Sequence, residues 1–77
     1  MKKEVISLIS DAKLKEALAL LLQCFESTNN IERCQVVIML CSEFNTIRLK
    51  MGQITLDDEM RYRNRITLVA IECAFEL

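Results

Sequence analysis

The sequence has no histidine, no proline and a single glycine. Each shortage removes a class of function. Without histidine the chain lacks the side chain that most often acts as a general base near neutral pH. It also has nothing to complete a mixed Cys/His zinc site. One glycine, Gly52, cannot build a phosphate-cradling loop or a dinucleotide fingerprint, both of which need several. With no proline, little of the chain reads as linker. An excess of one charge is missing too: 10 basic residues face 11 acidic ones, for a formal charge of -1. A general nucleic-acid binder is usually basic, so that class is disfavoured. No apolar run approaches the roughly 18 residues that cross a bilayer. Glu4, Ser7, Ser10 and Asp11 break up the N-terminal segment before it could serve as a signal peptide. A cytoplasmic protein is expected, with no membrane partner.

Four cysteines are present, Cys24, Cys34, Cys41 and Cys73, and none forms a CxxC pair. Each sits among apolar residues in a helical pattern. They read as reduced thiols used as small core residues. A disulfide framework is the alternative, disfavoured because long helices need no staples and the compartment is expected to be reducing. Arg33 beside Cys34 is the one basic neighbour that could activate a thiol. No metal and no cofactor are expected.

What the chain does have is apolar residues, 52% of its 77 positions. That length allows one domain, residues 1–77, and a domain so small is marginal alone. The pattern predicts four helices. A short one covers about Lys3 to Ser10, with Val5, Ile6, Leu8 and Ile9 on one side. The second covers Ala12 to Phe25, with Asp11 as its cap and a stripe of Leu14, Ala17, Leu18, Leu21, Leu22 and Phe25. Glu26 to Asn30 is a polar loop, and Asn30 can cap the third helix, Ile31 to Met51. The run Val36 to Cys41 would also suit a strand. The continuation Val37, Leu40, Cys41, Phe44, Ile47 and Met51 favours a helix. The fourth helix covers Leu56 to about Phe75 and places Leu56, Met60, Ile66, Val69, Ala70, Cys73 and Ala74 inward, with Leu77 extending the stripe.

Gly52 lies between the two long helices, where a left-handed residue commonly ends a helix. Thr55 can cap the next helix, with Asp58 at its third position. Asp57, Asp58 and Glu59 put negative charge on the positive end of the helix dipole, which explains them without any acid/base role. Asp57 with Arg61 and Glu59 with Arg63 are i,i+4 pairs in the favourable order. The fold class expected is all-α, a small antiparallel bundle of about four helices, the last two long and joined by a Gly52 elbow.

Two features exceed what such a bundle needs. Val36, Ile38 and Met39 are apolar beyond the main stripe of the third helix, and Leu49 is off it as well. Either that helix is central and covered on two sides, or it faces a partner. Asn64 sits mid-helix, where asparagine is a poor helix former. It either hydrogen-bonds across the bundle or is simply exposed. Arg61, Arg63 and Arg65 do not form one patch, because Arg63 points away from the other two on a helix. Solvation and ion pairing explain them better than phosphate contacts do.

The sequence resembles the effector-associated domains of bacterial conflict systems, most closely the eleventh described type. The likeness spans about Val5 to Leu77. It is carried by Val5-Ile6-Ser7-Leu8-Ile9, by Lys15-Glu16-Ala17-Leu18-Ala19-Leu20-Leu21, and above all by two motifs in order. These are Gly52-Gln53-Ile54-Thr55-Leu56-Asp57-Asp58-Glu59 and Arg63-Asn64-Arg65-Ile66. Ser10-Asp11-Ala12 stands where the family often has a glycine-containing turn. The resemblance implies a non-enzymatic adaptor, a counterpart of death-type domains. It would couple an effector to a sensor by homotypic association in a defence or programmed-death system. The expected partner is then the same domain type on another chain, and the domain would be the N-terminal part of a longer protein. The alternative is a small helical structural or regulatory protein that forms an obligate homo-oligomer. Candidate protein-binding residues are Glu43, Arg48, Arg61 and Arg65, and Gly52, Thr55, Asp58 and Asn64 are candidate structural residues.

Overall fold

A computed structural model describes residues 2–50 and 52–77. It contains four helices: α1 Lys2–Ser10, α2 Leu14–Ser27, α3 Ile31–Leu49 and α4 Leu56–Phe75. No strand occurs among the described residues. The run from Val36 to Cys41 is helical, so spacing outweighs the strand preference of its β-branched residues. The all-α bundle is as expected.

α2 and α4 each touch the other three helices, while α1 and α3 do not touch one another. α3 is therefore covered by two neighbours but is not central. It flanks the α2/α4 pair on one side and α1 flanks it on the other. The extents are 38 × 22 × 16 Å. A helix with its side chains is about 10–12 Å across, so a body this thin leaves every helix an outward side.

Two ion pairs join α3 to α4, Arg33 with Glu76 at 2.9 Å and Glu43 with Arg65 at 2.6 Å. They run in opposite chain order, so the two helices lie antiparallel. The core contains Val5 from α1, Ala17, Leu18, Leu21 and Phe25 from α2, and Val37, Leu40, Phe44 and Ile47 from α3. α4 adds Ile66, Ala70, Cys73 and Ala74, mostly small side chains that let it pack closely on its neighbours. Cys24 is buried too, and Cys34 and Cys41 are partly buried. All four thiols are free.

The links between helices solve a problem set by the shortage of glycine. At the end of α1, the Lys13 N–H donates to the Leu8 carbonyl at 2.8 Å and the Ala12 N–H to Ile9 at 3.1 Å. This is the Schellman arrangement, whose left-handed residue is usually glycine. Here it is Ala12, at φ 60°. The same arrangement closes α2, with Asn30 to Phe25 at 2.9 Å and Asn29 to Glu26 at 3.2 Å. Asn29 takes the left-handed position at φ 58°, a conformation asparagine tolerates better than most residues.

The Schellman turn corrects one expectation. α2 starts at Leu14, its N-cap is Lys13, and no side chain caps it. Asp11 is taken up in the end of α1 and cannot serve. By contrast the Asn30 side chain accepts from the Arg33 N–H at 3.3 Å and caps α3 as predicted.

After α3 ends at Leu49, the Gln53 N–H donates to the Lys50 carbonyl at 2.9 Å, closing the turn that carries Gly52. Gly52 has φ 89°. It is the third residue of that turn, where a type II geometry demands positive φ. Met51, expected on the inner stripe of α3, lies outside the described residues. Thr55 is extended, and its hydroxyl accepts from the Asp58 N–H at 3.2 Å. No return bond from the Thr55 N–H to the Asp58 carboxylate forms among the described residues. Asp is one methylene shorter than the Glu preferred there.

α4 departs from expectation in its first half. Leu56 and Met60 are 70% and 53% exposed rather than inward. They precede the buried stretch of α4, which begins with Ile66. Leu77 lies past the helix end and is exposed. Asn64 is exposed and makes no cross-bundle hydrogen bond among the described residues. Glu59 and Arg63 approach to 3.9 Å, but Asp57 and Arg61 form no ion pair among the described residues.

Candidate interaction surface

The outward side of α3 departs from an ordinary charged, solvated helix face. Stepping along the helix by four and three residues gives Ile31, Gln35, Ile38, Ser42, Asn45 and Leu49, all exposed. Residues at that spacing lie on one face. The face carries no charge from end to end, a length of about 27 Å at 1.5 Å per residue. Its apolar members are 69% exposed at Ile31, 54% at Ile38 and 84% at Leu49, and Met39 on its flank is 63% exposed. Val36 is different: it packs against the core and belongs to the interior. The excess hydrophobicity of α3 is thus exposed rather than covered, at Ile38, Met39 and Leu49.

The four charged candidates lie in two places, Glu43, Arg65 and Arg61 on one side of α3 and Arg48 on the other. Glu43 and Arg65 are joined to each other across the α3–α4 seam. A partner using either must compete with that bond, which at the surface is worth about 0–1 kcal/mol. Beside them a shallow groove of about 300 Å³ runs toward the elbow, bordered by Tyr62 and Ile54. Arg48 is on the other flank of α3, against the start of α2. There a groove of about 270 Å³ brings it together with Lys13, Lys15, Arg63, Phe44 and Glu16. The Arg63 guanidinium sits 5.7 Å from the centre of the Phe44 ring, within the range of a cation–π contact. Arg61 stands exposed on α4, one turn before Arg65 on the same side of that helix.

Thiol chemistry finds little support in the geometry. Burial pushes the Cys41 thiol above its ordinary value of 9.0. Burial does the same to Cys73, where the nearby Arg33 pulls the other way and Glu76 and Glu72 reinforce the rise. Both thiols therefore keep their protons at neutral pH and are poor nucleophiles. Among the described residues no group of three His, Cys, Asp or Glu side chains is placed to hold a metal ion, and no helix is long and apolar enough to cross a membrane.

The family model for effector-associated domain 11 matches residues 1–74. That range takes in all four helices almost to the end of α4. The chain belongs to the effector-associated domain 11 family. No curated protein and no solved structure gives a significant match. Within this effector-associated domain, the run Arg63-Asn64-Arg65-Ile66 acquires a physical meaning. Arg63 reaches Phe44 and Arg65 reaches Glu43, so both arginines clamp α4 to α3. Ile66, 1% exposed, begins the buried part of α4. Asn64 between them points to solvent.

Ile31 is the member of the α3 face that a search for inward stripes passes over. The signal was available: a second series at four and three spacing, with no charge in it, offset from the inner one.

Proposed function

We propose that this effector-associated domain is a non-enzymatic adaptor. It associates with the same domain type on another chain and thereby brings an effector to a sensor in a bacterial defence or programmed-death system. The observation that carries this reading is the uncharged, partly apolar outer face of α3 on a chain of this family. Large apolar residues exposed in line on one uncharged helix face of a small domain suit a protein-binding surface. The buried thiols and the acidic first turn of α4 have structural explanations that need no catalytic role.

The direct test is association between purified same-type domains. The effector-associated domain, immobilised, should capture a same-type domain encoded beside it and not an unrelated helical bundle of equal charge. Failure to capture any same-type domain, with a strictly monomeric state at millimolar concentration, overturns the reading. Charge reversal at Arg61 is a narrower probe. Weakened association would place the contact on the outward side of α4, while unchanged association would remove that side from consideration.

A further inference from the structure

The outer face of α3 has a register of its own. Its residues Ile31, Gln35, Ile38, Ser42, Asn45 and Leu49 step by four, three, four, three and four. That is the spacing of a coiled-coil seam, the geometry in which one helix packs along another. Read backwards, the series matches itself. Turned end for end, Ile31 comes opposite Leu49, Gln35 opposite Asn45, and Ile38 opposite Ser42. Apolar residues meet at both ends, and two carboxamides meet between them, each able to donate to and accept from the other.

We infer that this face binds a second copy of the same chain, α3 against α3 in antiparallel sense about a two-fold axis near the Ile38/Ser42 layer. The inference deepens the homotypic reading above and rests on it. Charge supports the choice of occupant. The seam itself is uncharged, so two copies meet without like-charge repulsion. On one flank Glu32 lies near the start of α3 and Lys50 just beyond its end, both exposed. Neither forms an ion pair among the described residues. Antiparallel pairing brings Glu32 of each copy to the end where Lys50 of the other lies, and the two-fold axis makes this contact twice. Parallel pairing about a two-fold axis would instead put the two Glu32 side chains on opposite sides of the seam, with Lys50 of each copy at the far end from Glu32 of the other, so neither charge would find its complement. Between those ends the same flank holds Met39, Thr46 and, in line with Lys50, Glu43, whose charge is already met by Arg65 of its own copy; Met39 meets its counterpart close to the axis. An interface of this kind is isologous: the same patch serves both copies.

The inference is tested by sedimentation of the wild-type chain and four variants, with thermal melting to confirm that each is folded. Wild type should dimerise. Ile38→Glu and Leu49→Glu should weaken the dimer by about tenfold or more, because each buries an unpaired charge in the seam. Both positions are exposed in the single domain, so melting of the monomer should not change. If one of the two variants fails to fold, the other still decides. Glu32→Lys and Lys50→Glu should each weaken association several-fold, and mixing the two should restore it, since the mixed pair has opposite charges at both ends. Dimerisation that survives Ile38→Glu and Leu49→Glu overturns the α3 face while leaving the homotypic reading intact. Loss in both charge variants without rescue on mixing overturns the antiparallel register. A wild-type monomer that binds a same-type domain of different sequence overturns the second-copy assignment only. A wild-type monomer that binds none overturns both.

Discussion

The two faces of α3 are built from similar material and do opposite things. The inner face has Val37, Leu40, Phe44 and Ile47, all buried. The outer face has Ile31, Ile38 and Leu49, all exposed. Both follow the same spacing, so period does not distinguish them. What separates them is company: α2 and α4 cover one face, and among the described residues no other helix covers the outer one. The polar members supply the remaining difference. Gln35, Ser42 and Asn45 interrupt the outer series and keep it compatible with water, whereas the inner series has no such break. A helix with apolar residues on opposite sides has no single preferred direction, and its neighbours decide which side becomes core.

The sharpest way to break this comparison is to truncate one residue on each face. Phe44→Ala should lower unfolding free energy by about 3–5 kcal/mol, a cost typical of emptying a buried aromatic site. Ile38→Ser should change it by no more than about 0.5 kcal/mol, as expected for an exposed position. Urea unfolding of the monomer measures both. Equal costs would mean that the outer face is part of the fold after all.

The next largest effect tests what holds the inner face in place. A Cβ at Gly52 would meet nothing within 4 Å, so substitution there is penalised by the backbone and not by a clash. Gly52→Val should cost about 1–2 kcal/mol, the penalty for an L-residue in the left-handed region. Gly52→Asn should cost less. Association through α3 should weaken only as far as the monomer does. Wild-type melting of Gly52→Val would show that the turn adopts another form and that glycine is not needed there.

A smaller effect, of opposite sign, lies in the turn between α1 and α2. Ala12→Gly should stabilise the domain by about 0.5–1 kcal/mol. It relieves a left-handed alanine at φ 60°, and part of the gain is offset by the extra freedom of glycine in the unfolded chain. Ala12 borders Phe44 and Arg48 but none of the outer-face residues of α3, so a change in association with no change in melting would contradict the separation of the two faces. The smallest effect comes from the thiols and is confined to alkaline solution. Cys41 and Cys73 both have ordinary values of 9.0 raised by burial. The folded chain keeps protons that the unfolded chain releases above that value. Stability should therefore be unaffected below pH 9 and fall as pH rises beyond it, as read from melting across that range. A domain that gains stability above pH 9 would show the thiols to be solvated.

The sequence told some parts of this architecture better than others. Four helices and their inner stripes were readable because each stripe repeats several times, as in Leu18, Leu21 and Phe25 of α2. The caps at Asn30 and Thr55 were readable because side chain and helix start are adjacent. Asp11 misled: it stands where a cap would, but the Schellman turn around Ala12 consumes it, and nothing in alanine advertises a left-handed residue. Leu56 and Met60 misled for a different reason. They continue the period of α4, yet they precede its buried stretch. For the interaction surface, the charges drew attention by sign. Their tertiary pairing, Glu43 with Arg65, involves residues far apart in the chain and is invisible to any local pattern.

The contact between the first and last helices has one further consequence. The Lys2 ammonium rests 4.6 Å from the centre of the Phe75 ring, so the two ends of the described chain lie side by side. With each helix touching the next and α4 touching α1, the four helices form a closed circuit. The order in which the chain visits them is then one choice among several. A short flexible bridge between the ends and a cut in the exposed turn at Gly52 and Gln53 would give a circular permutant. It would have the same four helices in the same places, with its new termini at the opposite side of the circuit.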